Sequence, residues 1–226
     1  MSETNRRGAL ATAALATGIA AMVTPATAGA KSRDKTLAMK VDELASRAAV
    51  EEVLLDYARG NDHGDEAMIR SCFWPESKHK HGGFDGTSTA FVDFAMKVGA
   101  TLKYSKHHIS NISVRVDGDR AFSECYYFAH HRRSKKDSTG EEDAFFEGRY
   151  IDILERRDGV WKIIQRRGTS DWNSPVFPAE SPYNSLPAGS HALRSGDDAY
   201  YQMLALFTAG KPCPASGQGI TARGRR

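Results

Sequence analysis

His107-His-Ile-Ser-Asn-Ile-Ser-Val-Arg-Val116 is the stretch on which the reading of this chain turns. Its polar and apolar residues alternate, which is the period of a strand, whereas the residues before it follow a helical period. Asp117-Gly118-Asp119 then forms a hairpin turn, and Ala121 to His131 is the return strand. A charged loop follows, and Phe145 to Arg156 is a third long strand. Arg157-Asp158-Gly159 marks a second hairpin, and Val160 to Ser170 is a fourth strand. If Asn111 and Ser113 line the concave face, period two places His107 on it with them. His108 then shares the other face with Ile112, Val114 and Val116.

On the N-terminal side, Leu44-Ala-Ser-Arg-Ala-Ala-Val-Glu-Glu-Val-Leu-Leu-Asp-Tyr-Ala-Arg-Gly-Asn-Asp62 lies in an amphipathic helix expected over about 42–59. Gly60 and Asn61 tolerate left-handed backbone and are expected to end it, leaving Asp62 just beyond the last turn. There Asp62 is either a solvated capping residue or a carboxylate aimed into whatever the helix covers. A short helix is expected over Glu66 to Cys72, closed by Phe73-Trp74-Pro75, and a third runs from Thr87 or Ser88 to Gly99. Helices followed by an antiparallel meander define an α+β fold. The simplest packing is a cone-shaped barrel, a curved antiparallel sheet with three N-terminal helices enclosing an apolar pocket.

The ends lie outside this core. Arg6-Arg7 precedes an apolar run from Ala11 to Val23, Pro25 breaks it, and small residues near Ala28 offer a cleavage site. Residues 1–30 therefore read as a twin-arginine export signal, which implies a periplasmic protein with no membrane association after cleavage. Removing these 30 of 226 residues leaves 196, which suits one domain. Residues 31–175 form that domain, and 176–226 are a C-terminal extension expected to be partly disordered. The removed segment carries Arg6, Arg7 and Glu3, so the net charge falls from +3 to about +2. Such a balance gives no nucleic-acid footprint, and the basic run Arg132 to Lys136 is followed at once by acids. Cys72, Cys125 and Cys213 form no disulfide framework or zinc spacing, although a Cys72–Cys213 bridge stays open.

Histidine is the informative residue type. His79-x-His81 shares a strand face but lacks the convergent set a metal needs, so no metal and no cofactor is expected. A general base is the better reading for His107, with Asp62 hydrogen-bonding one ring nitrogen while the other meets substrate. Arg166 and Arg167 face opposite ways on the fourth strand. Arg166 shares its face with Val160, Lys162 and Ile164, and Arg167 shares its face with Trp161, Ile163 and Gln165. One of the two is expected in the pocket, where a cation stabilises developing negative charge. Tyr57 is a hydrogen-bond donor or core filler. His81, Asn111, Tyr127 and Trp74 are candidate substrate contacts.

Taken in order, Leu44-Ala-Ser-Arg-Ala-Ala, Tyr57, Asp62, His107 with Asn111, Glu155 to Trp161, and Arg166-Arg167 with Asp171-Trp172 resemble the SnoaL-like branch of the nuclear transport factor 2-like superfamily. The resemblance covers about 42–172. It implies the same cone, a catalytic dyad at Asp62 and His107, a pocket arginine at Arg166 and a pocket tyrosine at Tyr57. It also implies cofactor-free elimination on a mid-sized apolar substrate, aromatic or steroid-like, with loss of water, halide or formaldehyde. A double-bond isomerase and a non-catalytic exported binding protein are the alternatives. A homo-oligomer, dimer or trimer, is expected. The chain departs from the dehydratases at His79-Lys80-His81, where they carry a pocket tyrosine after the second helix. His81 is the substitute there.

Overall fold

The computed structural model describes residues 36–136, 140–183, 185, 187 and 190–210. The expected export signal, Cys213 and the last part of the C-terminal extension lie outside the described residues. Among the described residues, no helix is long and apolar enough to cross a membrane.

Helix α1 spans Leu37–His63 and is longer at both ends than the sequence suggests. The Thr36 side chain caps its start by accepting from the Met39 amide. Gly60 and Asn61 do not end it. A Cβ on Gly60 would lie 2.6 Å from Ile69 Cγ1, so the glycine serves the close approach of the next helix. The Asn61 side chain bonds back to the Tyr57 carbonyl. Gly64, at φ 68°, is the left-handed cap. Asp62 is therefore held in the last helical turn. The buried face of α1 is Ser46, Val50, Leu54, Tyr57, Ala58 and Gly60, and Leu44 is exposed.

Short α2 (Glu66–Ser71) leads into β1 (Phe73–His81) and β2 (Phe84–Thr87), followed by α3 (Ser88–Gly99). Then come β3 (Leu102–Asp117), β4 (Arg120–Ser134), β5 (Glu141–Arg157) and β6 (Val160–Asn173). The C-terminal extension adds β7 (Phe177–Pro178) and α4 (Ala199–Thr208). The sheet order is β2-β1-β6-β5-β4-β3, with β7 on β5. All neighbours are antiparallel except β1 and β6. The sheet is curved and does not close, because β2 and β3 remain its edges. Val50, Leu54, Phe73, Val92, Cys125, Leu154 and Ile163 are among the core residues on its inner side.

Two bulges decide what the sheet points inward. On β3, Asn111 and Ile112 together oppose Cys125, and Asn111 takes φ 51°, a conformation asparagine tolerates better than most residues. The extra residue reverses the alternation. The inner face runs Ser105, His107, Ile109 and then Ile112, Val114, Val116, while Asn111 and Ser113 are exposed. On β6, Ile164 is the extra residue between the pairs Leu154–Ile163 and Ile153–Gln165. Arg166 thereby joins the inner face of Trp161 and Ile163, and Arg167 is turned outward. Both corrections have one cause, since a single inserted residue shifts every later side chain to the other face.

Candidate active site

The centre of the site is the pair the helix and the first long strand bring together. His107 Nδ1 lies 2.8 Å from Asp62 Oδ1, and the His107 backbone N–H donates to Asp62 Oδ2 at 3.1 Å. The carboxylate thus spans ring and main chain of one residue, which fixes both the position and the rotation of the imidazole. An Nδ1–H donor to a carboxylate leaves Nε2 as the lone-pair nitrogen. No hydrogen bond occupies Nε2 among the described residues, and His107 lines a cavity of about 150 Å³. Lys106 Nζ approaches the same carboxylate at 3.9 Å from the rim.

That cavity is apolar on one side and polar on the other. Phe91, Phe94, Met96, Val98 and Leu102 supply the apolar wall. Tyr57, His81, Ser105, His107, His131 and Arg194 supply the polar one. Burial depresses the His131 pKa to about 3, with the neighbouring His107 contributing. Burial depresses that of His81 to about 4, with Arg166 contributing. Both rings are therefore neutral at neutral pH, each with one N–H donor and one acceptor nitrogen. His81 fits against β6 because Gly168 carries no side chain there, a Cβ being placed 2.6 Å from the His81 ring.

Arg166 lies beneath the cavity and does not line it. Its guanidinium makes two bonds to Asp152, at 2.8 and 2.7 Å, and both side chains are fully buried. The rings of Tyr57 and Tyr150 cover it at 4.1 and 4.5 Å. Burial raises the Tyr57 pKa, against the opposing pull of Arg166, so its phenol keeps its proton. The arginine of the sequence reading is thus a neutralised foundation under two tyrosines that do reach the cavity.

Four other expected contacts are distributed differently. His81 lines the cavity. Tyr127 stands one layer back, donating to the Thr169 carbonyl at 3.1 Å and stacking on Tyr150 at 4.5 Å. Asn111 is outside, carried there by the β3 bulge. Trp74 lies away from the cavity, with its indole N–H on the Glu155 carbonyl and Arg157 over its ring. The sequence reading missed His131 and Arg194. Alternation through Cys125, Tyr127 and Ala129 would have pointed His131 inward, but Arg194 sits in an irregular segment that carries no periodic signal. Among the described residues no three His, Cys, Asp or Glu side chains are grouped to hold a metal ion.

An open sheet curved over helices, with a carboxylate-oriented imidazole at a small mixed cavity, defines a cone protein of the α+β class. The SnoaL-like domain family matches residues 42–167, and the chain belongs to that family. An uncharacterized protein of Mycobacterium tuberculosis H37Rv is 26% identical over 132 residues, covering 57% of this chain and 87% of its own length. A candidate scytalone dehydratase of Novosphingobium aromaticivorans superposes with TM-score 0.52 at 23% identity, over 58% of this chain and 87% of its own. A LinA-type3 hexachlorocyclohexane dehydrochlorinase of Novosphingobium barchaimii superposes with TM-score 0.55 at 21% identity, over 66% of this chain and 99% of its own. At these identities the structural likeness is one of fold.

Proposed function

We propose that this protein is a cofactor-independent lyase in which His107 is the general base and Asp62 orients it. The observation that carries the reading is the bidentate hold of Asp62 on His107, which leaves Nε2 open in a residue lining a cavity. In the proposed step, Nε2 takes a proton from a substrate carbon. The released C–H electron pair forms the new double bond, and the leaving group departs with its own bonding pair. Asp62 offsets the charge of the imidazolium that results. The neutral rings of His81 and His131 and the phenol of Tyr57 are the hydrogen-bond donors available to the leaving group. Arg166 acts at a distance, holding Tyr57 and Tyr150 in place.

Cavity size narrows the substrate. A space of about 150 Å³ is of the order that accepts one benzene-sized ring. This favours a single substituted ring over a steroid. The test is turnover on a panel of hydroxylated, halogenated and hydroxymethylated single-ring compounds. His107→Ala should lose at least about a hundredfold in turnover with binding kept, and unchanged turnover would sink the mechanism. Products that retain every group, with the proton returned elsewhere, would replace the lyase reading by an isomerase. The paired Arg6-Arg7 before an apolar run supports export. Retention of the protein in the cytoplasm of a twin-arginine-competent host would refute it.

A further inference from the structure

The C-terminal extension returns to the mouth of the cavity and leaves a cation there. Arg194 lies beyond the family-matched residues and lines the same cavity as His107. Its Nη1 donates to the main-chain carbonyls of Asn61 at 2.6 Å and Asp62 at 3.1 Å. These belong to the last turn of α1, where helix carbonyls attract positive charge, and the Asn61 carbonyl otherwise receives only the long cap bond from the Gly64 N–H at 3.4 Å. Its Nη2 occupies room left by two glycines. A Cβ on Gly99, the last residue of α3, would stand 2.9 Å from Nη2, and one on Gly64 would stand 3.5 Å from it. The guanidinium is thus wedged between two helix ends.

Its charge has no counter-ion of its own. Among the described residues no carboxylate pairs with Arg194, and Nε and Nη2 make no hydrogen bond. Asp62, whose charge acts on Arg194, has both oxygens engaged by His107 and also faces Lys106. His81 and His131 are neutral there and bring no negative charge. Asp198 is turned to the Leu193 and Tyr200 amides and faces His63. Burial lowers the Arg194 pKa, as for a cation withdrawn from water without compensation.

We infer that Arg194 is the anion-binding residue of this cavity, and that the ligand is a single-ring compound bearing a carboxylate. The inference rests on the reading of the cavity as a substrate site. The apolar wall takes the ring, and the two free guanidinium donors meet the carboxylate in the charge-assisted geometry that arginine favours. Arg194 is then a specificity residue contributed by a segment outside the matched domain.

The experiment is calorimetric titration of the full-length protein with benzoate and trans-cinnamate, each against its neutral amide. The acids should bind about tenfold or more tightly than the amides, as expected for charge-assisted bonds. Arg194→Gln should erase that preference while leaving amide affinity within about threefold, and Arg194→Lys should keep part of it. Gly99→Ala displaces Nη2 without touching the C-terminal segment, and should give the same selective loss. Equal affinity for acid and amide in the wild-type protein overturns the inference, as does binding of neither. Loss of acid and amide alike in both variants also overturns it, because that marks a structural clasp. Binding is read without turnover, so an unaffected His107→Ala enzyme refutes the lyase while an undiscriminated acid–amide pair refutes the anion site.

Discussion

Asp62→Asn tests the proposed dyad with almost no change of shape. In the wild-type protein two acceptor oxygens face two donors, the His107 ring Nδ1–H at 2.8 Å and the His107 backbone N–H at 3.1 Å. Asparagine retains one acceptor. The backbone N–H can only donate, so the amide oxygen must serve it, and the amide NH2 then faces Nδ1. Nδ1 becomes an acceptor and the ring proton moves to Nε2, the nitrogen proposed as the base. Recovering the reactive tautomer opposes two donors, at roughly 1–3 kcal/mol. The imidazolium formed on proton abstraction also loses a charge-assisted bond of roughly 1.5–3 kcal/mol. Together these give about 2.5–6 kcal/mol on the barrier, or a loss of roughly 10²–10⁴-fold in kcat. The tautomer is measurable without any substrate, through two-bond nitrogen–proton correlations of 15N-histidine-labelled protein. Nε2 should have the unprotonated signature in the wild type and exchange it with Nδ1 in the variant. An unchanged His107 tautomer in Asp62→Asn, or a loss of less than about threefold in kcat, would refute the reasoning.

Acid should unfold this protein early. His79, His81 and His131 are held neutral, with pKa values depressed by burial to about 2, 4 and 3. The unfolded chain binds these protons below about pH 6.5 and the folded chain does not, so stability falls as pH falls. At about 1.4 kcal/mol per pH unit per group, moving from pH 7 to pH 5 should remove about 5 kcal/mol. A urea midpoint that does not move over that range would contradict it. Arg166→Met strands a buried Asp152 and should cost about 3–5 kcal/mol in denaturant titrations, while Asp152→Leu added to it should recover much of the loss. A single variant as stable as wild type would show that the pair is dispensable. Asn111→Val forces a β-branched residue to positive φ and should lower stability by about 1–3 kcal/mol, whereas Asn111→Gly should not. Equal melting temperatures would remove the bulge from the account.

The fold was legible because its signals are periodic and local. The helical spacing of Val50, Leu54 and Tyr57 survives in the structure, and so do the four long strands, with their ends moved. The contact between Asp62 and His107 was expected from chain order plus family resemblance. What escaped was parity. Nothing in Ser110-Asn-Ile-Ser113 or Ile163-Ile-Gln-Arg166 announces that one residue is surplus, since a bulge depends on the partner strand as much as on the bulged one. Asn111 was therefore assigned to the cavity and Arg166 to the wrong companions. Gly60 was read as punctuation because its local cue is the same as that of a cap, and only the position of Ile69 shows that it is a spacer. Arg194 was out of reach because tertiary contacts alone bring it to the helix ends.

The Ile164 bulge has a consequence for how this chain tolerates change. Which guanidinium is interior depends on the bulge itself, because Ile163 and Arg166 both point inward with two residues between them. Flattening the bulge with every residue kept would bring Gln165 and Arg167 inward, turn Arg166 to the water side and leave Asp152 with no counter-charge. Deleting Ile164 would do none of this. It would leave a perfectly alternating strand in which Trp161, Ile163, Arg166 and Gly168 still point inward and Arg166 still meets Asp152. The bulge thus absorbs one residue of segment length, and a relative one residue shorter here would keep the same buried charge pair.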